Sequence, residues 1–507
     1  MFIGFFIAQQ NPNPIWQASR YIPFSHPKDF ESRIQILKKL LSPEGDGQNC
    51  DKISMDPDDL RNHGFSENDH FPEMLPNAVV YPTSTWDVQL IVLWAQASEI
   101  PITVYSGGTS LEGQYRPACH PRGICIDMCN MDKIIEIHED DSDLVCQPGA
   151  RWMDINETLK EKGIPLFFPL DPAPGATIGG MFSTGCSGTN AVRYGTAKGE
   201  WFINATVVLA SGHVIKTRSR ARKSAAGFDL TKLFIGAEGT LGIVTEVTIR
   251  LAPVLPTTVA VVQFPNVQKA TEAATAALNT GVGIQCVELV DDVFIGAINK
   301  YGMSKQKYPV ADSLFFKFQG ATAASLADTA TVVKRVVEEH GGTGFQLART
   351  QEEAEELWSD RKNAHYAGLA LAPGAQGWPT DVCVPVSNLP QLVYETKKDI
   401  ADAGMLSTII GHVGDGNFHA LILFKTEEEK VKARELVSRM VRRAIALDGT
   451  CTGEHGVGLG KKEYLIEELG HNTVAVMNMI KETLDPKCIL NPGKVSTCFS
   501  SVILRKY

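Results

Sequence analysis

The 507-residue sequence has no run of about twenty apolar residues, so no segment of it reads as a membrane-spanning helix. It also has no basic excess. Lys and Arg number 48 against 58 Asp and Glu, a formal charge of −10, which removes the electrostatic case for binding nucleic acid. Its eleven cysteines (50, 119, 125, 129, 146, 186, 286, 383, 451, 488 and 498) are odd in number and share no short repeated spacing. That pattern argues against a disulfide framework and a cysteine-based zinc module, and a reducing compartment is the simplest reading. The opening MFIGFFIA is apolar for only eight residues with no basic residue before it, too little for a secretory signal. Arg20 and Lys28 alone precede the first acidic residue, Asp29, so there is no convincing transit peptide either.

What is present is a near-average soluble composition, 44% hydrophobic and 21% charged, on a chain long enough for at least two domains. Residues 1–75 form a tail with one amphipathic helix at 30–41. From 76 to 255 short strands and helices alternate, with strands at 78–81, 102–105, 123–127, 144–147, 203–209, 213–216 and 242–251 and a helix at 86–98. This is an α+β or α/β texture. After Leu251-Ala-Pro-Val-Leu-Pro256 the glycines thin out, and a second domain runs over 256–484 with helices at 267–278, 326–339 and 473–484. Residues 485–507 follow as a separate C-terminal segment.

The first domain gathers its glycines. Ser106-Gly-Gly-Thr-Ser-Leu-Glu-Gly113 directly follows a strand, Pro174–Asn190 is the richest cluster, Leu233–Thr245 is a third, and Pro148-Gly149 a smaller fourth. Glycine lets backbone N–H groups approach an anion, and neighbouring Ser and Thr add hydroxyl donors, so a diphosphate can be held with few basic residues. Neither GxGxxG nor GxxxxGK[ST] occurs in these clusters, which disfavours a Rossmann or P-loop site.

The runs SGGTSLEGQ, PGATIGGMFSTGCSGTNAVRYGT and LFIGAEGTLGIVT resemble the FAD-binding domain of the vanillyl-alcohol oxidase/p-cresol methylhydroxylase superfamily. The resemblance implies an α+β fold, with two FAD-binding subdomains and a separate α+β cap carrying an antiparallel sheet. It implies noncovalent FAD, since 106–113 has no histidine to form the flavin link. By resemblance, Gly107, Gly108, Thr109 and Ser110 hold the diphosphate. Pro174, Gly175, Thr177, Gly185, Ser187, Gly188 and Tyr194 line the dinucleotide and flavin, with Glu238, Gly239 and Ile243 near the adenosine half.

The second domain carries Ile410-Gly-His412-Val-Gly-Asp415-Gly416-Asn-Phe-His419 between two apolar runs. Asp-Gly between strand-like runs predicts a two-residue hairpin turn. Centred on Asp415-Gly416, it sets His412 directly opposite His419, where two imidazoles can share a divalent metal or form a polar cross-strand pair. A helix starting at Thr426 and stopping before Gly449 then returns the chain to Gly453-Glu454-His455-Gly456, where Glu454 can complete a His₂Glu set and His455 can face a substrate. No HExxH is present, so a metalloprotease lacks its motif.

GHVGDGNFH, GEHGVG and the closing NPGK are similar to the signature of the FAD-linked 2-hydroxyacid dehydrogenases, a resemblance that spans about residues 76–494. It implies Zn or Mn on His412, His419 and Glu454, with His455 taking the substrate hydroxyl proton as hydride passes to flavin. It also implies Arg361, Asn417 and Trp378 around the substrate and Asn491 at the cofactor, with the C-terminal segment returning to the FAD domain. Thr380–Pro385, preceded by Trp378-Pro379, resembles the branch that oxidises D-lactate with cytochrome c or a similar acceptor. Mitochondrial residence follows by resemblance, with the cytoplasm as the alternative, and a homodimer is compatible with these readings. The alternatives are D-2-hydroxyglutarate or glycolate dehydrogenation, the ether-lipid enzyme alkyl-glycerone-phosphate synthase, and a non-catalytic flavin subunit of a larger oxidase.

Overall fold

The computed structural model describes residues 29–42, 50–117, 123–301, 304, 306–362 and 364–495, which form three larger sheets and a two-stranded pair of Leu166–Phe167 with Ala252–Pro253. The MFIGFFIA start, the closing Leu-Arg-Lys-Tyr, Cys119 and Cys498 lie outside these residues. The first sheet has four strands in the order Ile53–Ser54, Ala78–Val80, Ile124–Asp127, Ile102–Tyr105, the last three parallel. The helix Thr85–Ser98 is buried on nearly every side, including Val88, Ile91, Val92 and Trp94, and serves as the crossover that parallel neighbours require. The second sheet is antiparallel, in the order Ile134–His138, Asp143–Cys146, Ile243–Arg250, Phe202–Val208, Val214–Lys216.

The third sheet has eight antiparallel strands. Thr343–Leu347, Thr257–Phe264, Asp312–Gln319, Ile284–Val290, Leu406–Gly411, Asn417–Phe424 and Gln376–Pro379 lie in sequence across it, and Val382–Cys383 also pairs with Asn417–Phe424. Its two faces are distinct because side chains alternate along each strand. Ala260, Val262, Val287, Leu289 and Ile422 pack one way, against the helices Val267–Leu278, Ala323–Glu339, Leu389–Asp402 and Glu427–Ala446. Val259, Val261, Cys286, Val290 and Phe315 pack the other way, against Asp292–Tyr301 and Gln351–Lys362. The chain finally returns to the first sheet: Ile102 N donates to Ile489 O, Asn491 N donates to Ile102 O, and Ile489 and Leu490 enter that sheet's core. Eight described cysteines are free thiols, and Cys488 is disulfide-bonded.

A strap at 64–75 joins these parts. Arg116 donates twice to Asp69, at 2.7 Å each, and once to the Gly64 carbonyl at 2.6 Å, with both side chains fully buried. Removing one partner of a buried pair strands the other charge. Asp69→Ala should therefore cost about 3–5 kcal/mol, read as a lower urea midpoint, whereas a shift within error would show that water reaches Arg116.

Candidate active site

The four glycine clusters, scattered over more than a hundred residues, form one connected backbone surface. A Cβ on Gly107 would lie 2.5 Å from the Gly175 carbonyl, so only glycine lets the first and second clusters meet. Thr177 donates to Ser106 at 2.8 Å across the same seam. The third cluster joins through Gly236 N, bonded to Phe182 O, and Glu238 N, bonded to Ser183 O; the fourth joins through Gly179 N, bonded to Pro148 O. Gly107, Gly108, Ser110, Gly175 and Gly239 are half-buried on this surface, Thr109 and Pro174 are exposed, and Gly185 and Gly188 are buried within it. Such a hydroxyl-lined cradle, in which Gly107 and Gly108 leave no room for a Cβ, fits a dinucleotide.

Several residues expected at the cofactor have other partners. Ser187 donates to Glu454 Oε2 at 2.6 Å, and Tyr194 exchanges hydrogen bonds with Gln319 of the eight-stranded sheet at 2.8–3.0 Å. The Glu238 carboxylate accepts from Val457 N at 2.6 Å and Gly458 N at 2.8 Å, so its side chain holds the Gly-Glu-His-Gly loop. Asn491 donates to the carbonyls of Gln114 and Glu238, and its oxygen takes Lys494. Ile243 is core, paired with Val208.

The histidine hairpin differs from its expected form. The register pairs Ile410 with His419, not His412, and the loop is four residues, 413–416, closed by bonds from Asp415 N and Asn417 N to His412 O. The Asp-Gly cue misplaced the turn because tertiary packing decides it. Gly416 sits at φ 79°, where a Cβ would fall 2.0 Å from the Val384 carbonyl. The imidazoles still converge, their rings 5.3 Å apart and nearly perpendicular.

His412, His419 and Glu454 present three ligand atoms within 4.8 Å of one another. His412 Nδ1 lies 2.9 and 3.0 Å from the two Glu288 oxygens, and His419 Nδ1 lies 2.9 Å from the Thr380 carbonyl. Those acceptors place a hydrogen on each Nδ1 and turn each Nε2 toward Glu454 Oε1, at 3.3 and 3.2 Å. His419 Nε2 is buried with no hydrogen-bond partner. Burial alone would raise the Glu454 carboxyl, but the facing histidines outweigh it and hold it well below the usual range. Burial would likewise lower His412, but Glu288 and Glu454 push it well above its ordinary value. Three converging ligand atoms in a field that favours positive charge fit a divalent cation, which would take the place of the proton on His412 Nε2.

His455 stacks on His419, with centroids 4.8 Å apart and planes 10° from parallel. Its Nδ1 is buried without a partner, and burial pushes its pKa down to about 4. The loop is fixed from both sides. Asp381 Oδ2 accepts from Glu454 N, His455 N and the Thr452 hydroxyl at 2.7–3.0 Å, while Gln114 donates to His455 O at 2.7 Å. Burial opposes ionisation of Asp381, yet His455 and His419 keep its carboxyl below the usual range.

Arg361 is buried, donates to Glu288 at 2.5 Å, and has an Nε with no partner. Asn417 spends its amide N–H groups on Asp381 and the Val382 carbonyl at 2.7 and 2.8 Å, which places it behind the Glu454 loop. Trp378 is a correction. It pairs with Ile422, so it shares the helix-packed face opposite His419 and stacks there on His70 at 3.5 Å. Glu288, Asp381 and Gln114 were not anticipated, although an acidic residue inside each apolar run, Ile284–Val290 and Thr380–Val384, was a visible signal.

Residues 76–218 match the family described as FAD binding domain, and residues 256–495 that described as FAD linked oxidases, C-terminal domain. The mitochondrial D-lactate dehydrogenase [cytochrome] of Arabidopsis thaliana is 44% identical over 91% of this chain and 79% of its own. That of Kluyveromyces lactis is 41% identical over 92% and 81%. The solved structure of p-cresol methylhydroxylase superposes with a TM-score of 0.73 at 19% identity, covering 94% of this chain and 99% of that one, a likeness of fold. With FAD-oxidase families matched on both sides of residue 255 and relatives this similar, the chain belongs to the FAD-linked oxidases, in the family of FAD-dependent D-2-hydroxyacid dehydrogenases formed by the D-lactate dehydrogenases (cytochrome).

Proposed function

We propose that this protein oxidises D-lactate to pyruvate, using FAD and a divalent metal (zinc or manganese), and passes the electrons to cytochrome c in the mitochondrion. The observation that carries the reading is the convergence of His412, His419 and Glu454, with His455 stacked beside them and Ser187 of the glycine cradle bonded to Glu454. D-lactate and the cytochrome acceptor come from the names of the relatives at 44% and 41% identity.

When bound, FAD would accept the hydride and the metal would polarise the substrate hydroxyl. His412, His419 and Glu454 would hold the metal. Arg361 has an unpaired buried Nε and supplies the cation for the substrate carboxylate. His455 is neutral near pH 7 and takes the hydroxyl proton at a ring nitrogen. Asp381, Gln114 and Glu238 keep that ring in place through the loop backbone.

The test is anaerobic mixing of the yellow protein with D-lactate, L-lactate and D-2-hydroxyglutarate. D-lactate should bleach the flavin fastest. A faster response to D-2-hydroxyglutarate would move the substrate to the dicarboxylate branch, and no bleaching by any would end the dehydrogenase reading.

A further inference from the structure

We infer that Glu288 is a positioning residue that fixes His412 as a metal ligand and couples it to Arg361, an inference that rests on the metal reading above. Glu288 belongs to the apolar strand Ile284–Val290, and alternation with Val287 and Leu289 turns it to the face shared by Cys286 and Val290. It is 1% exposed. A carboxylate so deeply buried is costly unless paired and hydrogen-bonded, and Glu288 is both.

Its two oxygens lie 2.9 and 3.0 Å from His412 Nδ1, and Oε2 also accepts from Arg361 at 2.5 Å. Holding Nδ1–H leaves the Nε2 lone pair directed at Glu454 and makes the imidazole a stronger donor. The two histidines are therefore unequal: His419 is oriented by a neutral carbonyl, His412 by a carboxylate. The same carboxylate balances Arg361 and bonds only one end of the guanidinium, leaving Nε unpaired. One buried side chain thus orients a metal ligand and steadies the cation assigned to the substrate carboxylate.

The full-length FAD-loaded protein, stripped with a chelator, is titrated with Zn²⁺ and with Mn²⁺ against a chromogenic competitor. Glu288→Ala should weaken binding about 10–100-fold at unchanged FAD content, with a lower thermal midpoint because buried Arg361 loses its partner. Glu288→Gln keeps an oxygen opposite Nδ1–H without its charge and should fall between the two. Should the alanine variant lose FAD, the glutamine variant decides, because Zn²⁺ affinity equal to wild type overturns the inference. If Glu288→Ala binds both metals as wild type does while His412→Ala binds neither, Glu288 has no such role and the metal reading stands. Wild type binding neither ion would overturn both.

Discussion

His455→Ala should keep its FAD and its metal, yet D-lactate should reduce its flavin about 10²–10⁴-fold more slowly than wild type. The backbone explains why the loss is confined to chemistry. His455 N is held by Asp381 and His455 O by Gln114, and both bonds survive loss of the side chain. The ring lies on His419 at 4.8 Å, beside the ligand set but outside it. Burial holds its pKa near 4, so at neutral pH the imidazole carries no proton that would block its acting as base. Stopped-flow reduction under nitrogen measures the rate, and elemental analysis counts metal per flavin. An unchanged reduction rate with full metal would remove His455 from the proton transfer.

How far such a site can be read from sequence depends on whether a residue's role is local. Glu454 and His455 were legible because glycines flank them and two adjacent polar side chains can then point in different directions. The histidine pair was legible as a pair, but its register was not. The turn is set by Gly416 against the Val384 carbonyl, a contact that no window around 412–419 contains. Trp378 failed for a related reason. Its face follows from pairing with Ile422 rather than Leu421 or Leu423, and a one-residue slip moves a side chain across the sheet. The α+β architecture with an antiparallel second domain was legible from strand texture together with family resemblance, and the three larger sheets agree with it. Glu288 and Asp381 announced themselves as charges in apolar runs, but their partners are distant: Glu288 meets a histidine 124 residues away and Asp381 a backbone N–H 74 residues away.

Glu454→Gln should abolish metal binding and flavin reduction while leaving FAD and fold intact. Glu454 Oε1 faces two imidazole Nε2 atoms at 3.3 and 3.2 Å, and Oε2 accepts from Ser187 at 2.6 Å. With both Nδ1 atoms acting as donors, that arrangement turns three ligand atoms together and favours positive charge, a proton or a metal ion, between them. Glutamine has the same shape, keeps an oxygen for Ser187, and turns an NH₂ toward the histidine lone pairs. The variant therefore satisfies the cluster from within: it needs no cation and offers no negative charge to hold one. Its affinity for Zn²⁺ or Mn²⁺ should fall by more than the roughly 10–100-fold of an outer-shell partner, and its chelator-treated form should melt no lower than chelator-treated wild type. Chelator treatment of wild type should reproduce the lost reduction, and adding Zn²⁺ or Mn²⁺ should restore it in wild type but not in Glu454→Gln. Full metal occupancy in the variant would show that His412 and His419 hold the ion without the carboxylate, and would place Glu454 with the loop-anchoring residues instead.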